Sequence, residues 1–190
     1  ATTYQTSMEH TVSYNTAGTY NLWVVRQDTY CSSNAVQLTI NVNAIPDAPA
    51  ITVNDVCEGS DVQFSATGTD IKWYKNSALV EEGATYSLQS VPAGSVQVSA
   101  TQTVNGCTSA EAQSTATIHI IPNAPSAKNV TICDYSQIEA ITVNSQEGAT
   151  TTWYGDESHT QTVAIGTTYT PTKKETQTYY VTQTIQGCES

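Results

Sequence analysis

Ile71-Lys72-Trp73-Tyr74 lies between Cys57 and Cys107, and Thr152-Trp153-Tyr154 echoes it between Cys133 and Cys188. Thr67-Gly68-Thr69-Asp70 before the first run and Lys75-Asn76-Ser77 after it are turn sequences, so the run itself reads as a short strand. A strand that carries a tryptophan in a Thr- and Val-rich neighbourhood belongs at the buried centre of a β-sandwich. Trp73 and Trp153 are therefore predicted core residues. Phe64 joins them: Val62, Phe64 and Ala66 alternate with Asp61, Gln63 and Ser65, the period of a half-buried strand.

The stretches flanking the tryptophans repeat. Pro46-Asp47-Ala48-Pro49 returns as Pro122-Asn123-Ala124-Pro125, Cys57 as Cys133, Cys31 as Cys107 and Ala17-Gly18 as Ala93-Gly94, each 76 positions later. Trp153 follows Trp73 by 80 positions and Cys188 follows Cys107 by 81, so the third copy carries small loop insertions near its tryptophan strand. The register divides the chain into 1–45, the C-terminal part of a first repeat; 46–121, a complete repeat; and 122–190, a third repeat lacking its last strand. The Pro-rich linkers mark the boundaries, because proline cannot donate to a strand ladder. A part-sandwich exposes its core, and the expectation is a window on a longer array.

A tryptophan strand bracketed by two cysteines, with a hairpin turn such as Asn105-Gly106 or Gln186-Gly187 just before the second, is the pattern of an immunoglobulin-like sandwich. Ala17-Gly18-Thr19-Tyr20 further suggests a tyrosine corner, a place that Val96 takes in the next copy. The predicted fold class is all-β: tandem immunoglobulin-like β-sandwich repeats with almost no helix.

Composition narrows the function. A formal charge of −11 with six Lys and Arg is incompatible with binding along a phosphate backbone, so nucleic acid is not an expected partner. No apolar run approaches the roughly 20 residues of a membrane span, and no membrane insertion is expected. Five cysteines without a C-x-x-C pair point to an oxidising compartment, hence an extracellular or cell-surface place. His10, His119 and His159 share no spacing and no G-x-S-x-G elbow occurs, so neither a metal centre nor a serine nucleophile is predicted. Calcium is the one cofactor that the carboxylates Asp47, Asp55, Glu58 and Asp61 near the first linker allow, against the simpler reading of solvated acidic loops. Trp23, which aligns with Ser99 and Tyr180, marks a variable position; with one ring of Tyr179-Tyr180 expected to face solvent, Trp23 and Tyr180 are the candidate contacts to a glycan.

Cys57-Glu58-Gly59-Ser60, Trp73-Tyr74, Tyr179-Tyr180-Val181-Thr182-Gln183-Thr184 and Gly187-Cys188-Glu189-Ser190 resemble the Ig-like tandem repeats of large secreted and cell-surface proteins of the Bacteroidota. The resemblance runs over the whole chain. It implies beads in adhesins or in enzymes exported by the type IX pathway, and hence a non-enzymatic segment forming an extended stalk or filament of a surface adhesin. The alternative is a glycan-binding or adhesive accessory module of a secreted multidomain enzyme. Expected partners are neighbouring repeats of the same chain, with surface glycans and copies of the chain in a fibre as further candidates. The disulfide candidates are Cys57, Cys107, Cys133 and Cys188. The leading expectation is one bridge per repeat, Cys57 to Cys107 and Cys133 to Cys188, each worth roughly 4 kcal/mol in the chain-entropy model. Geometry speaks for another: Cys57 precedes its strand and Cys107 follows the far hairpin, which puts them at opposite ends of one sandwich. The alternative joins Cys57 at the base of one bead to Cys188 at the top of the next, and free thiols are the remaining reading.

Overall fold

The computed structural model describes residues 11–131, 133 and 137–190, and among these every regular element is a strand. The first unit is a hairpin of β1 (Gly18–Val24) and β2 (Val36–Val42), with Leu22 opposite Leu38. The tyrosine corner is formed, the Tyr20 hydroxyl donating to the Thr16 carbonyl at 2.7 Å. Strand alternation gathers Tyr20, Leu22, Val24, Val36, Leu38 and Ile40 on one face, where Val24 and Leu38 remain 59% and 52% exposed.

The second unit is a complete sandwich. Its strands are β3 (Ala50–Thr52), β4 (Val56–Cys57), β5 (Val62–Thr67), β6 (Lys72–Lys75), β7 (Ala78–Glu82), β8 (Thr85–Leu88), β9 (Gly94–Thr101), β10 (Thr103–Val104), β11 (Cys107–Thr108) and β12 (Ala112–His119). One sheet has the order β3-β5-β8 and the other β4-β12-β9-β6-β7, while β10 and β11 make a small hairpin between β9 and β12. All neighbours are antiparallel except β4, which runs parallel to the end of β12 with Val56 opposite Ile118 and Cys57 opposite His119. This is immunoglobulin-like order, with a first strand that switches sheets.

Between the sheets, Val62, Phe64, Trp73, Ala100 and Ala116 are fully covered, with Val98 and Ile118 nearly so. Phe64, Trp73 and Tyr86 form a triangle of rings with centroids 6.2 to 6.4 Å apart. The buried indole still needs an acceptor, and Trp73 Nε1 donates to the Gly83 carbonyl at 2.9 Å. Gly83 sits at φ +123°, which only glycine adopts without strain, although a Cβ there would meet nothing within 4 Å. The turn is thus specified by backbone conformation rather than by space.

The third unit repeats the plan with β13 (Ser126–Ala127), β14 (Ile141–Asn144), β15 (Thr150–Tyr154), β16 (Thr162–Ile165), β17 (Thr168–Tyr169), β18 (Tyr180–Ile185) and β19 (Cys188–Glu189). Its sheets are β13-β14-β17 and β16-β15-β18-β19. Trp153 Nε1 donates to the Gly166 carbonyl at 2.8 Å, and Gly166 has φ +121°, the arrangement of Trp73 and Gly83 over again. The hairpin turns at Asn105-Gly106 and Gln186-Gly187 both place two residues at positive φ, as the sequence predicts.

Two substitutions separate packing from backbone strain. Phe64→Ala is expected to lower the unfolding free energy of the second sandwich by about 3–5 kcal/mol. Gly83→Ala should lower it by about 1–3 kcal/mol through strain alone. Urea unfolding followed by tryptophan fluorescence checks both, and a neutral Gly83→Ala would refute the conformational account of the turn.

Candidate functional site: the junction between sandwiches

The most constrained place outside the cores is where one sandwich meets the next. Cys57 of β4 and Cys188 of β19 form a disulfide with Cα atoms 5.6 Å apart, inside the range a bridge tolerates without backbone movement. This corrects the leading sequence expectation of a Cys57–Cys107 and a Cys133–Cys188 pair: Cys107 and Cys133 are free thiols, as is Cys31. The physical reason is the strand plan. Cys57 is fixed beside the last residue of β12, while Cys107 lies beyond the β10 turn at the opposite end of β9 and β12.

Around the bridge the chain between the sandwiches is gripped by side chains. The Glu58 carboxylate accepts from Ile121 N at 3.0 Å, while Glu58 N donates to the His119 carbonyl at 2.8 Å. Gln183 on β18 is 1% exposed, and a buried amide must be paired. Its Nε2 donates to the Asn123 carbonyl, and its Oε1 accepts from Gln146 N at 2.7 Å. Pro122 and Pro125 of the linker are buried.

The earlier junction is built in the same way. Gln102 Nε2 donates to the Asp47 carbonyl at 2.8 Å and its Oε1 accepts from Thr69 N at 3.1 Å. Asn43 Nδ2 donates to the Asn105 carbonyl at 2.9 Å, and the Cys107 Sγ lies 3.9 Å from the Asn43 carbonyl oxygen. The two glutamines were missed in the sequence, where a Gln in a strand reads as an outward polar residue. The available signal was the recurrence of Thr101-Gln102-Thr103 and Thr182-Gln183-Thr184 ahead of a Gly-Cys turn.

Next to the bridge, the Glu189 carboxylate accepts from Thr182 Oγ1 at 2.6 Å and from the Tyr154 hydroxyl at 2.8 Å. These two donors, Thr182 first, hold the Glu189 carboxyl below its ordinary value, and the same bond from Tyr154, together with burial, pushes the phenol above its own. His159 stacks on Tyr154 at 4.8 Å between ring centroids. In the second sandwich the counterpart of Glu189 is Thr108, and the hydroxyl of Thr101, counterpart of Thr182, is buried without a partner.

The other sequence candidates stay apart. Asp55 accepts from Thr117 N at 2.7 Å and lies 3.8 Å from His119, Asp61 accepts from Ser90 N at 2.9 Å, and Glu58 serves the linker. Among the described residues no group of three His, Cys, Asp or Glu could hold a metal ion. His10 lies outside the described residues. Trp23, on the polar face of the β1–β2 hairpin opposite Gln37, is 64% exposed. Tyr180 is half-buried on β18, 6.3 Å from His159. Tyr179 is half-buried as well, its ring edge-on to Tyr169 at 4.9 Å, so the expectation that one ring of this pair faces solvent does not hold. A concavity lined by Gly68, Asp70, Ile71, Lys72, Glu82 and Thr103 carries the exposed Lys72–Glu82 ion pair, at 3.0 Å.

The third sandwich with its bridge cysteine has a known relation. Residues 122–190 match the family model described as Ig-like domain, CHU_C associated. No curated protein matches the chain. The Ig-like match covers the third unit; the second carries the same tryptophan strand, glycine acceptor and glutamine grip. An Ig-like domain is a scaffold that prescribes no chemistry by itself.

Two measurements probe the junction. The ionised Glu189 contributes stability that is fully present above the ordinary glutamate value of 4.5 and is lost as pH falls through its lower folded value. Thermal melting of the third sandwich should therefore fall with acid below about pH 4.5 more steeply in the native chain than in Glu189→Gln. Gln183→Ala strips the Asn123 carbonyl and Gln146 N–H of their partner and should cost about 1–3 kcal/mol, read as a lower urea midpoint. Gln183→Glu, which keeps the acceptor but sets a buried carboxylate oxygen against the Asn123 carbonyl, should cost more than Gln183→Ala at neutral pH.

Proposed function

We propose that the chain is a non-enzymatic structural segment of an extracellular bacterial repeat protein, a stretch of stalk in a surface adhesin. The observation that carries this reading is the junction. Two sandwiches joined by a single peptide linker are free to hinge, whereas here a disulfide, the buried Gln183 and Glu58 hold the linker region at separate points. Such fixing suits a segment that sets distance and direction between its ends. A disulfide in a chain with few large apolar core residues suits an oxidising extracellular setting, and net negative charge keeps an extended array soluble. The Ig-like family relation of the third sandwich agrees with a modular bead.

The second reading is a glycan-directed accessory module, and the 64% exposure of Trp23 is the observation in its favour. A glycan array together with small-angle scattering separates the two. The stalk reading predicts no binding and an elongated profile that is unchanged by Trp23→Ala. Binding abolished by Trp23→Ala or Tyr180→Ala would establish the module instead.

A further inference from the structure

Each of the three free cysteines occupies the repeat position of one partner of the bridge. Cys107 and Cys31 stand at the hairpin position of Cys188, and Cys133 stands at the base position of Cys57. For Cys107 the surroundings match as well. Gln102 grips Asp47 as Gln183 grips Asn123, and Ser109 Oγ accepts from Gln102 N at 3.0 Å as Ser190 Oγ accepts from Gln183 N at 3.1 Å. The Cys107 Sγ lies 3.9 Å from the carbonyl oxygen of Asn43, and Asn43 is the counterpart, 76 positions earlier, of His119. His119 is the residue that Cys57 faces across the parallel β4–β12 pair. A strand lying beside β2 as β4 lies beside β12 would therefore bring its cysteine to the Cys107 thiol.

The hairpin is shaped to receive such a strand. In the second sandwich the counterparts of Leu22, Val24 and Ile40 are Val98, Ala100 and Ala116, all at most 2% exposed because β3, β5 and β8 cover them. On the hairpin, Val24, Val36 and Leu38 are 52 to 68% exposed, and among the described residues β2 pairs only with β1. The complementary surface is a half-sandwich of the kind that residues 46–93 form.

We propose that Cys107 is the receiving thiol of a second inter-repeat disulfide, with the base cysteine of an Ig-like half-repeat of the 46–93 type tethered ahead of β1 and seated on the β1–β2 hairpin. In forming it, the two thiols give up two protons and two electrons to a disulfide donor such as glutathione disulfide. The new S–S bond forms as the donor's bond breaks, releasing two thiols. The bridge Cys57–Cys188 is then one link of a series that staples each sandwich to the next. The inference rests on the repeat-array reading for its register alone, and a rod-like scattering profile would survive its failure.

The test extends the chain by placing a second copy of residues 46–76 directly ahead of Ala1, in register with the 76-position repeat, and folds it in a glutathione redox buffer beside the unextended protein. Non-reducing digestion and mass mapping should recover the added base cysteine joined to Cys107, alongside Cys57–Cys188 as the internal sign of correct folding. Alkylation of Cys107 should fall at least about tenfold relative to the unextended chain, because a sulfur held in a disulfide has no thiolate to react. Four results would overturn the proposal: the added cysteine free or glutathionylated, the same cysteine joined to Cys31, Cys107 joined to Cys133 of a second copy, or loss of the Cys57–Cys188 template itself. A Cys31→Ser version of the extended chain should leave the Cys107 link intact.

Discussion

The Cys57–Cys188 disulfide spans 131 positions of sequence and joins two sandwiches that the backbone already connects through Ile120–Pro125. A folded domain on one tether keeps its rotational freedom, and a second tether a short distance away removes most of it. The chain-entropy estimate for closing so long a loop is about 5 kcal/mol, but that figure describes the unfolded chain. In the folded protein the consequence is orientational, since the bridge, Gln183 and Glu58 hold the linker region at separate points. Much else at the boundary follows: buried prolines, a buried amide with both of its atoms engaged, and a carboxylate beside the bridge held ionised by Thr182 and Tyr154.

The bridge depends in turn on the sandwich that supports it. Cys57 is held in place because β4 leaves the first sheet and runs parallel to the end of β12, which requires a filled core beneath. That core is anchored by Trp73, whose ring packs against Phe64 and Tyr86 and whose N–H is satisfied by Gly83. The same tryptophan–glycine pairing recurs at Trp153 and Gly166, so successive sandwiches present their ends in like fashion. Repetition of one local solution is what makes the junction itself repeatable.

Much of this architecture was legible in the residues. Alternation placed Val62, Phe64 and Ala66 inside, the Asn-Gly and Gln-Gly turns were read correctly, and the tyrosine corner was found from Gly18 and Tyr20. The cysteine partners were legible only as alternatives: the places of Cys57 and Cys107 relative to their strands pointed to the observed Cys57–Cys188 bridge, the repeat pattern to one bridge per repeat, and only the strand order decides between them. The same limit hid Gln102 and Gln183, polar residues in strands whose partners are backbone atoms of a linker. Tyr179 and Tyr180 were misjudged because alternation assigns faces, whereas Tyr169 and His159 reach round to cover both rings. Trp23 stands exposed on its hairpin, and its position in the strand pattern did not reveal what it serves.

Non-reducing peptide mapping of the folded chain tests the central claim most directly, because it reads the cysteine connectivity itself. The account predicts a single dominant cross-linked species joining the Cys57 peptide to the Cys188 peptide, with Cys31, Cys107 and Cys133 recovered as alkylated thiols. A Cys57–Cys107 peptide, or a Cys133–Cys188 peptide, would contradict it.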